Sequence, residues 1–412
     1  MVRSWKQRYF LLQGGKLFSF QGNASGEPKG CLPLAHCTVR ALPMAPTVSD
    51  LDAPFSYRFS IGSTTQCYNV AANTEAELHQ WLRAVELAIS LERYFECTQT
   101  DPMETREMIK DSFTNHATKT LCLSQNALTA NAFHTLMRLL SDNNHLEELI
   151  LDDVGLCDAF APALGTMLIS NHCLKSLSLK HNRIGDQGIG QLTEGFYLNI
   201  SLASLDLSHN VIGDTGAMHI ADVLTANVSL HSLDLTGNQI GESGAVALAR
   251  ALTRAAIRRL ELAANRLGTA GALALAQGLS AAATLRYLGL ASNGIAAAGA
   301  LALAETLVPN HVLQELNLHS NAIDNEAAAA LAERILRNKT LCRVDLGDNR
   351  ELALPGIRSL TALCKGGGFQ LSKISLERRA PATAPAATPL AAPPAAPPPA
   401  ASPPPTTPAP ST

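Results

Sequence analysis

The sequence predicts an α/β chain whose larger part is a horseshoe, with parallel strands inside and helices outside. A small β-barrel with a C-terminal helix precedes it, and a Pro-rich tail follows. Three observations carry that expectation. Asparagines recur at Asn126, Asn182, Asn210, Asn238, Asn265, Asn293, Asn321 and Asn349, 28 residues apart except for one step of 27 and one skipped rung, where Val154 stands. The residues before a rung follow Leu-x-x-Leu-x-Leu-x-x-Asn, as in Leu202, Leu205, Leu207 and Asn210. After it come a turn and a helical stripe at i, i+3, i+4, i+7, such as Ala217, Ile220, Ala221 and Leu224.

Each part of the unit has a physical reading. Leu-x-Leu has period 2, so both leucines face one side of a short strand. The rung asparagine ends that strand, and its amide can bond turn backbone that the neighbouring rungs leave unpaired. In the turn Ile212-Gly213-Asp214-Thr215-Gly216, glycine gives conformational freedom and Asp214 can cap a helix. Parallel strands stack about 4.8 Å apart, whereas packed helices need roughly 8–10 Å. The strand side must therefore be concave. A 28-residue period with this signature marks leucine-rich repeats. With its Ile-Gly-Asp-x-Gly-Ala turns, the array over 118–376 resembles the ribonuclease-inhibitor-like subclass.

Composition narrows the function classes. Lys+Arg number 32 against Asp+Glu 35, so no global field favours nucleic acid. Nine cysteines without a C-x-x-C pair suggest reduced thiols in a cytoplasmic protein rather than a disulfide or zinc framework. No signal peptide or bilayer-spanning run is evident, so the sequons at Asn199 and Asn227 are expected to be idle. No metalloprotease, hydrolase, P-loop or dinucleotide motif occurs, which points to a non-enzymatic chain without a cofactor. Gly366-Gly367-Gly368 reads as a helix-ending turn. The histidines His181, His209 and His319 lie beside rungs, where repeat polarity explains them better than metal ligation.

Residues 1–90 break the repeat. Trp5-Lys6-Gln7-Arg8-Tyr9-Phe10-Leu11-Leu12 reads as a strand, Gly14-Gly15 turns it, and Lys16-Leu17-Phe18-Ser19-Phe20 returns as a hairpin. Further strands are expected over 57–61 and 66–71. A helix begins near Thr74, with Glu77 completing a capping box and Leu78, Trp81, Leu82, Val85 and Ala88 or Ile89 on one face. These residues resemble a pleckstrin homology (PH) domain: Ser4 to Leu12 looks like its second strand and Trp81 like its C-terminal helix tryptophan. The family's first strand would precede Arg3, so the N-terminus looks truncated or the domain incomplete. By resemblance, Lys6 and Arg8 match half of a phosphoinositide-binding pattern. Alternating basic residues share one strand face, which either holds phosphates or is the solvated edge of a protein-binding PH domain.

Residues 91–117 are expected to be a linker whose helix, over 103–113, caps the first strand's edge. Leu371-x-x-Ile374-x-Leu376 looks like a terminal half-repeat. The tail over 377–412 is almost entirely Pro, Ala, Ser and Thr, so disorder with polyproline-II character is expected. Its P-x-x-P match at Pro394 and Pro397 is a weak SH3-type ligand signal.

The x of Leu-x-Leu forms a concave column: Cys122, Ile150, Ser178, Asp206, Asp234, Glu261, Gly289, Asn317, Asp345. Three adjacent acids can bind a basic partner, or the bases Arg258, Arg259 and Arg286 can neutralise them locally. The order PH, repeats, Pro-rich tail resembles the CARMIL family of actin capping protein regulators, with fewer repeats and a tail lacking a basic segment. That resemblance implies a cytoskeletal scaffold, binding a protein in the horseshoe and docking peripherally at the plasma membrane. The alternative is a GTPase activator similar to RanGAP, which needs a catalytic asparagine or arginine on an edge loop.

Overall fold

The computed structural model describes residues 9–13, 16–20, 28–35, 37–41, 57–62, 67–72, 74–97, 103–350, 352 and 374–375. Lys6 and Arg8, the Gly14-Gly15 and Gly366–Gly368 turns, and the tail with its P-x-x-P match lie outside the described residues.

The N-terminal unit packs two antiparallel sheets of three strands each. One contains β1 (Tyr9–Gln13), β2 (Lys16–Phe20) and β3 (Gly30–Pro33); the other contains β4 (Thr38–Ala41), β5 (Tyr57–Gly62) and β6 (Cys67–Ala72). Tyr9 opposes Phe20 and Gln13 opposes Lys16, the expected hairpin register. Strands β3 and β4 were not foreseen. Each has four residues, one ends in Pro33, and β4 is mostly exposed, so neither shows clear alternation. Helix α1 (Glu75–Cys97) opens with the Glu77 amide donating to Thr74 Oγ1 at 3.1 Å. Its Leu78, Val85 and Ile89 are buried against Leu17, Leu32 and Phe59, and Trp81 stacks on Phe59. The helix does not stop at residue 90 but runs on to Cys97. Helix α2 (Met103–Thr114) follows, with Ile109 and Phe113 buried.

The array repeats one strand and one helix. Strands β7 (Thr120–Cys122), β8 (Glu148–Ile150), β9 (Ser176–Ser178), β10 (Ser204–Asp206), β11 (Ser232–Asp234), β12 (Arg259–Glu261), β13 (Tyr287–Gly289), β14 (Glu315–Asn317) and β15 (Arg343–Asp345) lie parallel and in register. A two-residue β16 (Ile374–Ser375) pairs with β15 where the half-repeat was expected. Helices α3 (Ala130–Ser141), α4 (Ala161–Ser170), α5 (Asp186–Leu198), α6 (Asp214–Ala226), α7 (Glu242–Leu252), α8 (Gly268–Ala281), α9 (Ala297–Leu307) and α10 (Asn325–Arg337) pack neighbour on neighbour. The stripe Ala217, Ile220, Ala221 and Leu224 is buried, as are the strand leucines.

The rung asparagines knit the repeats together. Asn210 donates through Nδ2 to the carbonyls of Leu179 and Leu207, both at 3.0 Å, while its Oδ1 accepts the Ile184 amide at 3.0 Å. The residue before each rung takes the left-handed conformation, from Gln125 to Asp348, yet among these positions only Gly237 is glycine. His209 accounts for that one: its imidazole occupies the space a Cβ at residue 237 would need.

Asp214 does not cap its own helix. Its Oδ1 instead accepts the amides of Gly241 (2.7 Å) and Gly244 (2.9 Å), the N-terminus of α7 in the next repeat, and Asp186 does the same for Gly213 and Gly216. A Cβ on Gly216 or Gly244 would press within 3 Å of that carboxylate, so the glycines admit a cap from the preceding repeat.

A second ladder went unforeseen. Asn171, Asn199, Asn227, Asn310 and Asn338 are buried at the helix ends and bond the loops of adjacent repeats; Asn227 Nδ2 donates to the Phe196 and Asn199 carbonyls at 2.7 and 2.9 Å. The sequon asparagines are thus structural. Their 28-residue recurrence was the available signal.

Candidate functional site

The in-register strands place Asp206, Asp234 and Glu261 side by side on β10, β11 and β12, at one height of the concave wall. The wall is small-sided beside the first two, where Ser204 and Ser232 occupy the parallel column. Asp206 and Asp234 are half-buried, and each accepts one amide two residues on, Ser208 and Thr236, at 2.8 Å. Neither makes an ion pair among the described residues.

Glu261 behaves differently. It is 8% exposed, and its carboxyl lies over Gly289 of β13, where a Cβ would overlap it. Tyr287 Oη donates to Glu261 Oε2 at 2.5 Å, while Oε1 is buried without a hydrogen-bond partner among the described residues. Arg259 reaches Oε2 at 3.5 Å with its guanidinium 3.6 Å from the Tyr287 ring centroid. Burial pushes the Glu261 carboxyl up, opposed by the Tyr287 hydrogen bond; the neighbouring Asp234 charge raises it and Arg259 lowers it. Burial, with the Glu261 contact, pushes the Tyr287 phenol up to about 12. One member of the acidic column is therefore clamped, and two stand open.

Of the flanking bases, Arg259 makes this contact, whereas Arg258 and Arg286 are exposed beside the wall. Asp345 lies three strands beyond β12, separated by Gly289 and Asn317, and faces His319 Nδ1 at 3.4 Å. On the rung side, His181 and His209 stack with centroids 4.3 Å apart. Burial lowers the His209 pKa, as do His181 and Lys180, against the opposite pull of Asp234 and Asp206. Among the described residues no group of three or more His, Cys, Asp or Glu is placed to hold a metal ion.

Comparison with known proteins agrees with this architecture. The PH domain model matches residues 2–90, and the leucine-rich repeat model matches 170–192, 198–221, 226–249, 281–304 and 310–332. Sesquipedalian-1 of Homo sapiens is 32% identical over 85 residues, 21% of this chain and 32% of that protein. Cytohesin-2 of Mus musculus is 25% identical over 109 residues, 23% of this chain and 27% of that protein. The chain thus spans a third or less of these relatives. Among solved structures, the Leiomodin-1 actin-binding site 2 shares 20% identity at a TM-score of 0.32, covering 37% of this chain and 90% of that one. The chain is a PH domain followed by leucine-rich repeats, the build of a protein-interaction adaptor. Both are typically non-catalytic domains, and no helix among the described residues is long and apolar enough to cross a membrane.

Proposed function

We propose that this chain is a non-enzymatic scaffold that takes a basic segment of a protein partner along its concave wall. The observation that carries this reading is the pair Asp206 and Asp234, two open carboxylates on adjacent strands beside small serines. Like charges about 4.8 Å apart cost stability in the free protein, and a cationic ligand relieves that cost. Glu261, Arg258 and Arg286 lie next along the wall and Asp345 three strands beyond β12, and these charges set where a basic ligand is accepted or repelled. Replacing Asp206 and Asp234 with Asn and Glu261 with Gln is expected to leave the fold intact or slightly stabilised. Capture of partners from cell extract should weaken ~10–100-fold, the loss of one to two charge-assisted contacts. If every partner survives the triple change, binding lies on the rung loops or the helical face.

The second part of the proposal is peripheral docking of the PH domain on a phosphoinositide surface through Lys6 and Arg8, with the chain otherwise cytoplasmic. The domain order, resembling the CARMIL family, supports a setting in cytoskeletal regulation. If docking works this way, replacing both basic residues with Ala abolishes recruitment to phosphoinositide liposomes, and added salt weakens it in the wild type. Recruitment unchanged by the double substitution would move the membrane contact elsewhere. Rung asparagines from Asn182 to Asn349 are engaged in backbone hydrogen bonds, so the GTPase-activating alternative would have to rest on an arginine instead.

A further inference from the structure

We infer that the PH domain has a second function, as the N-terminal cap of the repeat array, exerted through helix α1. A solenoid must cover the apolar face its first repeat leaves open. Here that face includes Leu121, Leu123 and Phe133, and it forms one buried cluster with Ile109 and Phe113 of α2 and with Leu91 and Tyr94 of α1. Leu91 and Tyr94 are 5% and 0% exposed, as deeply buried as residues in the middle of the array. The same 23-residue helix carries Leu78, Val85 and Ile89 in the barrel core. Ile89 belongs to one core and Leu91 to the other, with no joint between them.

The helix is gripped from both sides at this point. Arg93 donates through Nε to the Ala35 carbonyl at 3.3 Å and through Nη2 to the Cys37 carbonyl at 2.9 Å, at the entry to β4. On the array side, Arg106 of α2 donates to the Phe95 carbonyl at 3.3 Å and sits 5.7 Å from the Phe95 ring centroid. Swivelling the barrel against the horseshoe would require breaking α1 or withdrawing Tyr94 from its core. The segment beyond Ser90 is too short to hold helical form alone, since isolated helices under about a dozen residues are marginal. The barrel, by holding the first half of α1, keeps the second half seated on the array. The two units therefore fold as one, and anything that binds the barrel stabilises the first repeats by linkage.

The test inserts four glycines between Ser90 and Leu91 of the full chain and follows hydrogen exchange and thermal melting. The wild type is expected to melt in one transition, with β7 and β8 amides protected. In the insertion variant the melt should split, and β7 and β8 should exchange at least ~10-fold faster, the signature of local opening. Protection in β5 and β6 reports whether the barrel itself survives. Tyr94→Ala should speed exchange in β7 and β8 in the same way without touching the barrel core. Loss confined to the first repeats, or spreading along the array, supports the cap. A single unchanged melt with unchanged protection in β7 and β8 after insertion overturns it.

Discussion

Replacing Asn210 with Ala is expected to destabilise the array by about 2–4 kcal/mol, with the chemical denaturation midpoint falling and the transition broadening. The side chain is 5% exposed and serves three separate backbone segments. Its Nδ2 donates to Leu179 of the preceding repeat and to Leu207 of its own, and its Oδ1 receives the Ile184 amide. Alanine fills none of these roles. The Leu179 and Leu207 carbonyls keep the Asn182 and Asn238 amides as donors, so the loss there is one hydrogen bond each. The Ile184 amide alone is left without a partner, at about 1–3 kcal/mol, and water can reach only part of that deficit. Because each repeat contacts only its neighbours, the damage should first appear as faster amide exchange at β9 and β10. A loss below about 1 kcal/mol would mean that water replaces the amide, and that the leucine core alone holds the horseshoe.

What was legible in the sequence follows from where the determining contacts lie. Leu205 and Leu207 pointed to a strand face because alternation is a property of consecutive residues. The shared height of Asp206, Asp234 and Glu261 followed from period 2 within a strand and one repeat length between strands. Contacts that cross from one repeat to the next were harder. Asp214 has the composition of a cap for its own helix, but the stacking brings the next repeat's amides to it, and only Gly241 and Gly244 betray this. The burial of Glu261 is of the same kind. It depends on Gly289 and Tyr287, which lie 28 and 26 residues further along and meet it only across the sheet. Strands β3 and β4 were missed for a different reason, being short and weakly alternating.

Gly289→Ala should turn Glu261 from a clamped carboxyl into an open one. A Cβ at residue 289 overlaps the Glu261 carboxylate, and the flexible side chain is the partner that yields. Its displacement breaks the Tyr287 hydrogen bond, worth about 1.5–3 kcal/mol for a charged acceptor. The gain of about 0.5–1 kcal/mol from removing a strand glycine offsets part of this. A net loss of about 1–2 kcal/mol at neutral pH is the expected balance of the two. The pH dependence separates this from general damage. Burial raises the Glu261 pKa, so the wild-type fold binds that proton more tightly than the unfolded chain does. Its contribution to stability is therefore greatest in acid and is lost as pH rises through the carboxylate range, from about pH 4 upward. In the variant that slope should disappear, while the wall gains a third open anion beside Asp234. Urea midpoints of both proteins across that range, with low-salt capture of a basic partner, read the two effects together. Identical pH profiles and identical capture would show that Glu261 is not held by the space above Gly289.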